Sequence, residues 1–280
     1  IKERRDHSIA LIDTRGRLVV QAVEALPIHI ASMSGLMRCL LEKYKYGDEI
    51  EEGDLFIAND PHTAGGTHLP DINYAMPIFV EGVLVAFICN IAHHADVGGM
   101  AAGSMSGGMS EIYQEGLRIP VIKLFRRGEL QTDIMDLLLL NVRGPQERRG
   151  DHNAQIAACR LGARRFREVV TTHGLTRVQT AFDEIIMRTN QRMCTAVAEI
   201  PDGIYRFEDV MDGDGIATYD IPIKLTLTID GEIAHFDFSG TSQQVSGNVN
   251  VTMNATEASV CYALKAVLDP EIPSNQGVLD

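Results

Sequence analysis

The chain has 280 residues, of which 45% are hydrophobic and 22% charged, as in an ordinary globular protein with one large domain or two small ones. Its formal net charge of −13 argues against nucleic acid and anionic membranes as partners. No signal peptide is recognisable, no apolar run approaches the ~20 residues of a membrane span, and the five scattered cysteines lack C-x-x-C spacing, so we expect a reduced, cytoplasmic protein.

The first 58 residues predict a β-hairpin, a helix and a strand. Apolar residues alternate over 8–22 around a turn at 14–16. Apolar side chains then recur at helical spacing over Ile30–Tyr44. The apolar run Gly53–Ala58 predicts a buried strand that leads directly into the most polar stretch of the chain.

That stretch runs from Asn59 to Gly99 and contains four of the nine histidines. Within it, the apolar runs 79–80 and 83–88 flank a two-residue turn signal, Glu81 and Gly82. The resulting hairpin returns the end of its second strand to the start of its first, so polar side chains more than twenty positions apart become neighbours. These side chains belong to Asp60, His62, His68, Asp71, His93, His94 and Asp96.

Three of these side chains form a candidate metal site. His68 and Asp71 are an H-x-x-D pair in a proline-containing turn, and His93 is expected to arrive from the returning strand. Two imidazoles and one carboxylate suit Zn²⁺, Mn²⁺ or Fe²⁺, and three protein ligands leave positions open for water or substrate. Loop hydrogen bonding explains any one of these histidines alone. The three side chains together favour a catalytic metal site, because they are expected at strand ends near glycine pairs.

The glycine-rich segment 98–108 follows this cluster. It is either a lid or anion-binding loop, or a flexible connector, and its sequence favours neither. It contains no Walker A motif, which is absent from the whole chain, and its serines do not stand at the centre of a G-x-S-x-G nucleophile elbow. The chain therefore carries no recognisable ATP site and no serine-hydrolase signature.

Residues 111–200 are predicted to be mainly helical. A short turn at Glu111–Glu115 and a helix over Asp133–Val142 precede two longer amphipathic helices joined at His173 and Gly174. The arginines of these helices are expected to be solvated, as charged runs usually are. They are Arg148, Arg149, Arg164 and Arg165.

Residues 201–280 change to strand-like patterning. A strand is predicted at Gly203–Phe207, a hairpin at 221–238 and a helix at Ala255–Leu268. Between the first two, Asp209, Asp212 and Asp214 hint at calcium, but they lack EF-hand spacing, so a surface turn is favoured.

These elements predict an α+β fold with mixed, largely antiparallel sheets built from hairpins and packed with helices. We expect three parts in one continuous catalytic region. They are a hairpin-rich core with the His/Asp site (1–144), a helical hairpin (145–200), and a β-hairpin region with a final helix (201–280). Because the sequence opens without methionine and stops soon after a predicted helix, we expect it to be a fragment of a larger chain.

The sequence resembles the hydantoinase B/oxoprolinase family. The resemblance rests on IKERRDHSIALID with GRLVVQ, GDLFIANDPHTAGGTHLPDI, HHADVGG, QEGLRIP, NVRGPQERRGDHNAQIAA and DFSGTSQQVSGNVN, which together extend over nearly the whole chain. The family includes N-methylhydantoinase B subunits, the C-terminal half of 5-oxoprolinase, and the alpha subunits of acetone and acetophenone carboxylases. Its members are roughly twice this long.

The resemblance implies a metal held by His68, Asp71 and His93, which agrees with the choice made from the residues. It also implies that ATP is used by a hydantoinase A-type companion subunit in a hetero-oligomer and binds no motif of this chain. Around the metal, His94 and Asp96 are candidates for orienting ligands or moving protons, Asp60 and His62 for supporting the ligands, and Glu115 for a general base.

The resulting hypothesis is a catalytic B-type subunit that hydrolyses a small, activated cyclic amide with the help of Mn²⁺, Zn²⁺ or Fe²⁺. Two alternatives remain at this point. One is the alpha subunit of an ATP-dependent ketone carboxylase of the acetone or acetophenone type, and the other is a non-catalytic scaffold subunit.

Overall fold

A seven-stranded antiparallel sheet forms the centre of the computed structural model, which describes residues 5–26, 28–45 and 49–280. The strand order is β2-β1-β5-β4-β3-β6-β7, so the predicted histidine-bearing hairpin, β4–β5, lies in the middle of the sheet. The strands are β1 (His7–Asp13), β2 (Leu18–Gln21), β3 (Leu55–Ala58), β4 (Asp71–Val80), β5 (Val83–His93), β6 (Ile122–Arg126) and β7 (Glu129–Leu130).

The β4–β5 hairpin is longer than the apolar runs alone suggested. Its turn residues have positive φ, 52° at Glu81 and 80° at Gly82, as a tight turn that matches the sheet twist requires. From this turn the strands pair continuously, apart from one irregularity, as far as Asp71 opposite His93. The register therefore places two predicted metal ligands directly across from each other.

Helices cover both faces of this sheet, because side chains alternate between the faces along each strand. On one face, α3, α4 and α5 pack over residues such as Ile72 and Tyr74. On the other face, α1 packs over residues such as Phe87 and Cys89, and α6 packs against α1. The helices are α1 (His29–Lys43), α2 (Ile112–Glu115), α3 (Thr132–Leu140), α4 (Pro145–His173), α5 (Leu175–Val197) and α6 (Met253–Leu268), with a final 3₁₀ turn at Gln276–Val278.

A second, three-stranded antiparallel sheet follows α5 in the order β10-β9-β8. The predicted hairpin there is confirmed, but the acidic surface turn is wrong for Asp209 and Asp212. Both lie within strand β8, which pairs along almost its whole length with β9 and so continues through the acidic residues. The strands are β8 (Gly203–Gly213), β9 (Tyr219–Asp230) and β10 (Ile233–Asp237).

One prediction about the helices also fails. Arg148 is not solvated but only 8% exposed, because it faces inward on α4 and pairs with Asp151 one turn along, with 2.9 Å between Nη2 and Oδ2. Arg149, Arg164 and Arg165 are exposed as predicted.

The α+β class, with largely antiparallel sheets, is confirmed. All five cysteines are free thiols. Among the helices in the described ranges, none is both long and apolar enough to cross a bilayer. The opening residues Ile1–Arg4 of the first family motif lie outside the described part, and the division into three parts stays a prediction.

Candidate metal centre

The three predicted ligands meet at one end of the central hairpin. Asp71 is the first residue of β4 and His93 the last of β5, and the two pair across the sheet. His68 lies in the turn just before β4, where the Asp71 N–H donates to its carbonyl oxygen over 3.1 Å. The strand register and this turn therefore bring together side chains that are 25 positions apart, as the sequence predicted.

The ligand atoms form a compact triangle. Asp71 Oδ1 lies 3.1 Å from His68 Nε2 and 3.4 Å from His93 Nδ1, and the two nitrogens are 3.2 Å apart. Asp71 and His93 are buried, whereas the His68 side chain is 34% exposed and forms the open side of the group. The site thus combines fixed ligands with access from solvent.

Electrostatics favour a charged pair in this triangle. Burial opposes ionisation of Asp71, but the adjacent His68 and His93 imidazoles hold its pKa far below the usual value. Burial likewise opposes the charge on His68, but the adjacent Asp71 carboxylate raises its pKa above the ordinary value. A cation that binds between these three side chains would therefore displace a proton from them.

The donor set fits a divalent ion. At bond lengths of about 2.0–2.2 Å, neighbouring ligands in a tetrahedral or octahedral shell lie about 3–3.5 Å apart, as these three atoms do. The buried Asp71 Oδ1 accepts no hydrogen bond of good geometry, and the two ring nitrogens face each other. A cation between the three atoms would satisfy all of them.

A second group of side chains adjoins the first, and no sequence pattern indicated it. It consists of Asp6, His29 and Asp71. His29 Nε2 lies 3.5 Å from Asp6 Oδ1 and 3.9 Å from Asp71 Oδ2. His29 opens α1 and is almost fully buried, and this burial lowers its pKa despite the nearby carboxylates. Both new members come from parts of the chain far from 59–99.

His94, the neighbour of His93, belongs to a different environment. Its Nε2 donates to Gln155 Oε1 over 2.7 Å, and its ring lies 4.6 Å from that of His152. Burial lowers the pKa of His94 to about 4, so the ring is neutral at physiological pH. Gln155 in turn donates to the Ile72 carbonyl over 2.8 Å and to Asn90 Oδ1 over 3.0 Å. Gln155 therefore fixes residues next to Asp71 and His93 on both strands.

Asp60 and His62 were proposed to support the metal ligands, but neither is hydrogen-bonded to the imidazole of His68 or His93. Asp60 accepts from the backbone N–H groups of His62 and Thr63 over 2.9 and 2.7 Å, and from Arg118. Burial favours the neutral form of Asp60, but these bonds lower its pKa. The carboxylate therefore shapes the loop before His68, and the His62 side chain is exposed.

Glu115 and Asp96 occupy distinct positions. Glu115, at the end of α2, has its pKa raised by burial, although the nearby His68 and His62 oppose this shift. Asp96 is buried and binds Arg143, with 2.9 Å between Oδ2 and Nη1, and it accepts from the backbone N–H groups of Gly98 and Gly103. Glu115 therefore lies near His68 and His62, whereas Asp96 organises the glycine-rich segment.

The sequence of the chain matches a known protein family and several known proteins. The model of the hydantoinase B/oxoprolinase family matches residues 1–280. The chain is 31% identical over 294 residues to the putative B subunit of a D-/L-hydantoinase from Pseudomonas sp. strain NS671, and 35% identical over 305 residues to 5-oxoprolinase 1 of Arabidopsis thaliana. These alignments cover 100% of the chain in both cases, and 49% and 24% of the relatives.

Solved structures share the fold. The crystal structure of the ATP-dependent caprolactamase from Pseudomonas jessenii superposes with a TM-score of 0.89 at 31% identity, over 98% of this chain and 47% of that one. A nucleotide-free acetone carboxylase structure gives the same TM-score at 21% identity, over 98% of this chain and 38% of that one, which shows the shared fold alone.

The chain thus spans about half, or less, of the length of the relatives it matches. The family model extends over residues 1–280, and several relatives are at least 30% identical. The chain therefore belongs to the hydantoinase B/oxoprolinase family.

Proposed function

We propose that this chain is the metal-binding, catalytic B-type subunit of an ATP-dependent cyclic amidohydrolase. One observation carries the proposal. The triangle of His68 Nε2, Asp71 Oδ1 and His93 Nδ1, with sides of 3.1–3.4 Å, stands at the end of the central hairpin and is open on the His68 side. Mixed nitrogen and oxygen ligands suit Mn²⁺ or Zn²⁺, with Fe²⁺ as a third candidate.

A divalent ion bound there supplies Lewis acidity and lowers the pKa of water toward about 7. The remaining chemistry falls to the side chains. Glu115 is our candidate general base, because its raised pKa makes it a better proton acceptor than an exposed carboxylate. It would take the proton of the water that attacks the amide carbon and return it to the ring nitrogen as the C–N bond breaks.

His94 and Asp96 are assigned positioning roles in this proposal. Both are buried, and their polar atoms already bond to Gln155 and to Arg143 with the glycine-rich segment. Asp60 similarly holds the loop that carries His62 and leads to His68. These side chains would keep the ligands and Glu115 in place without contacting the substrate.

ATP use is assigned to a hydantoinase A-type companion subunit. The chain contains no phosphate-binding G-x-x-x-x-G-K-[ST] loop, whereas the caprolactamase of similar structure is described as ATP-dependent. A relative at 33% identity is the beta subunit of a caprolactamase, a designation that implies a partner subunit. We therefore propose a cytoplasmic hetero-oligomer in which the companion activates a hydantoin-like or 5-oxoproline-like ring for hydrolysis here.

A direct test combines the full-length protein with its companion subunit, ATP and either hydantoin or 5-oxoproline. We expect ring-opened product and ADP in equal amounts, loss of product in His68→Ala and His93→Ala, and no change in His173→Ala, which alters an exposed histidine at the end of α4. Product formation that survives in the first two variants would favour a scaffold role. ATP-dependent fixation of bicarbonate onto acetone or acetophenone, without ring hydrolysis, would instead favour the ketone carboxylase suggested by the shared fold.

A further inference from the structure

Strand β8, at one edge of the second sheet, differs from the edge strands of the large sheet. The large sheet ends on each side in a short strand, with 4 residues in β2 and 2 in β7. β8 has 11 residues and pairs on one side with β9, and within the described ranges no strand pairs with its other side. A row of backbone N–H and C=O groups therefore lies open along this outer edge.

β8 also lacks features by which natural proteins protect an exposed edge. Its sequence, GIYRFEDVMDG, contains no proline and no lysine. Its register with β9 runs without a bulge from Gly203 to Met211. A long, regular strand with an open edge is a template for pairing with a further strand.

The side chains of β8 are apolar on both faces of the sheet. Ile204 and Val210 point to one face and are 57% and 52% exposed. Tyr205 and Phe207 point to the other face and are 42% and 62% exposed. An edge strand usually presents polar side chains on one face, whereas apolar side chains on both faces are typical of a strand inside a covered sheet.

The face that carries Phe207 continues onto β9. Phe207 pairs with Leu225, and Ile223 on the same face is exposed. Further along this face, Ile229 is buried in the core that also contains Met193 of α5. The apolar face is therefore covered at Ile229 and open around Phe207.

The lengths of the relatives indicate what covers the open part. The hydantoinase and caprolactamase subunits align with 100% and 98% of this chain, but the chain covers only 49% and 46% of them. Those relatives therefore have about as many residues again outside the matched span. Elements that are consecutive in sequence usually lie next to each other in space, which favours polypeptide after α6 over polypeptide before β1.

We propose that the outer edge of β8 pairs with a β-strand from the polypeptide that follows Asp280 in the full-length protein, and that the same segment covers Phe207. Backbone hydrogen bonds to this strand make β8 an interior strand of a larger sheet. β8 carries three carboxylates and one arginine, so the incoming strand is expected to place Lys or Arg opposite them.

Site-specific photo-cross-linking identifies the segment that covers β8. Full-length protein with p-benzoylphenylalanine in place of Phe207 is assembled with its companion subunit, irradiated and digested for mass spectrometry. A mixture of isotope-labelled and unlabelled protein shows whether the joined peptides come from one polypeptide. We expect cross-links to residues after Asp280 of the same polypeptide. Cross-links to the companion subunit, to a second copy or to residues before β1, or no cross-link at all, would overturn the proposal.

Thermal melts of the full-length protein give an independent readout. Phe207→Ser should lower the Tm by about 5 °C or more, because a covered aromatic side chain is lost. Ile233→Ser is the matched control, since Ile233 is 67% exposed on β10 at the opposite edge of the sheet, and its Tm should stay within about 1 °C. Equal Tm values for the two variants would contradict the proposal. Neither experiment alters a metal ligand, so both results are independent of the proposed function.

Discussion

At the scale of single residues, neighbouring carboxylates in this chain serve different purposes because their partners differ. Asp71 is buried among imidazoles, and one of its oxygens has no well-aligned hydrogen bond, which suits a metal ligand. Asp96, two residues beyond His94, has both oxygens occupied by Arg143 and by backbone N–H groups of the glycine-rich segment. A buried carboxylate with all its acceptor sites filled stabilises structure.

We predict that Asp96→Asn lowers the free energy of unfolding by about 2 kcal/mol at pH 7, because charge-assisted hydrogen bonds are weakened. Burial raises the pKa of Asp96, but the bonds from Arg143, Gly98 and Gly103 outweigh this effect and lower it. A lowered pKa gives stability that is present above the unfolded value of about 3.9 and is lost as pH falls through the folded value. Denaturant titrations should therefore show the difference shrinking below about pH 4.

Arg143→Ala should reproduce this loss and its pH dependence, since it removes the same pair from the other side. A loss of activity in Asp96→Asn with no change in stability, and no effect of Arg143→Ala, would contradict a structural role and restore Asp96 as a candidate catalytic residue.

At the scale of elements, the β4–β5 hairpin sets the distance between ligands and α4 holds the hairpin in register. Gln155 on α4 bonds the Ile72 carbonyl on β4, Asn90 on β5 and His94 just after it. A single side chain thereby ties the two strands together beside Asp71 and His93. These hydrogen bonds of Gln155 lie on the face of the sheet opposite α1, so they support the hairpin from that face.

Gln155→Ala is expected to cost about 2–3 kcal/mol of unfolding free energy, because three buried polar groups lose a partner. Metal affinity should fall as well, since the strand ends that carry two ligands are loosened. Thermal melts and metal titrations of this variant can be compared with Gln146→Ala, an exposed glutamine on the same helix that should change neither. Unchanged stability in Gln155→Ala would show that water replaces the hydrogen bonds of Gln155 and that this side chain does not hold the two strands together.

At the scale of the whole molecule, α1 and the loop before His68 meet through two glycines. A Cβ atom on Gly65 would lie 2.1 Å from the carbonyl carbon of Gly35 in α1, and Gly65 also has a φ of +71°. Both the close approach and the backbone conformation require glycine there. The packing of α1 against the sheet therefore sets the position of the loop and of His29.

Gly65→Ala should destabilise the protein by at least about 3 kcal/mol, because the backbone of α1 has to move away. Gly107→Ala, where a Cβ atom meets nothing within 4 Å, is the matched control and should be nearly silent. Equilibrium unfolding would measure both variants. A mild effect at Gly65 would mean that α1 and the loop are not rigidly joined.

Much of the fold, and the grouping of His68, Asp71 and His93, could be predicted from the sequence because the sequence patterns that indicate them are local. The turn at Glu81 and Gly82, flanked by apolar strands, determined the register that brings His93 to Asp71. Asp6 and His29 were not anticipated, because tertiary packing alone carries β1 and the start of α1 to the hairpin end. The inward orientation of Arg148 depends on the packing of α4 against β4 and β5, and the continuation of β8 through Asp209 depends on its pairing with β9.

We propose above all that His68, Asp71 and His93 hold a divalent ion. Metal analysis tests this on the purified, Mn²⁺- or Zn²⁺-supplemented protein beside the His68→Ala, His93→Ala double variant and the His173→Ala control. We expect at least about one tightly bound ion per chain in the unaltered protein and the control, and loss of that ion in the double variant. Absence of metal from all three, or equal metal in the double variant, would contradict the claim and leave the cluster as hydrogen-bonded structure.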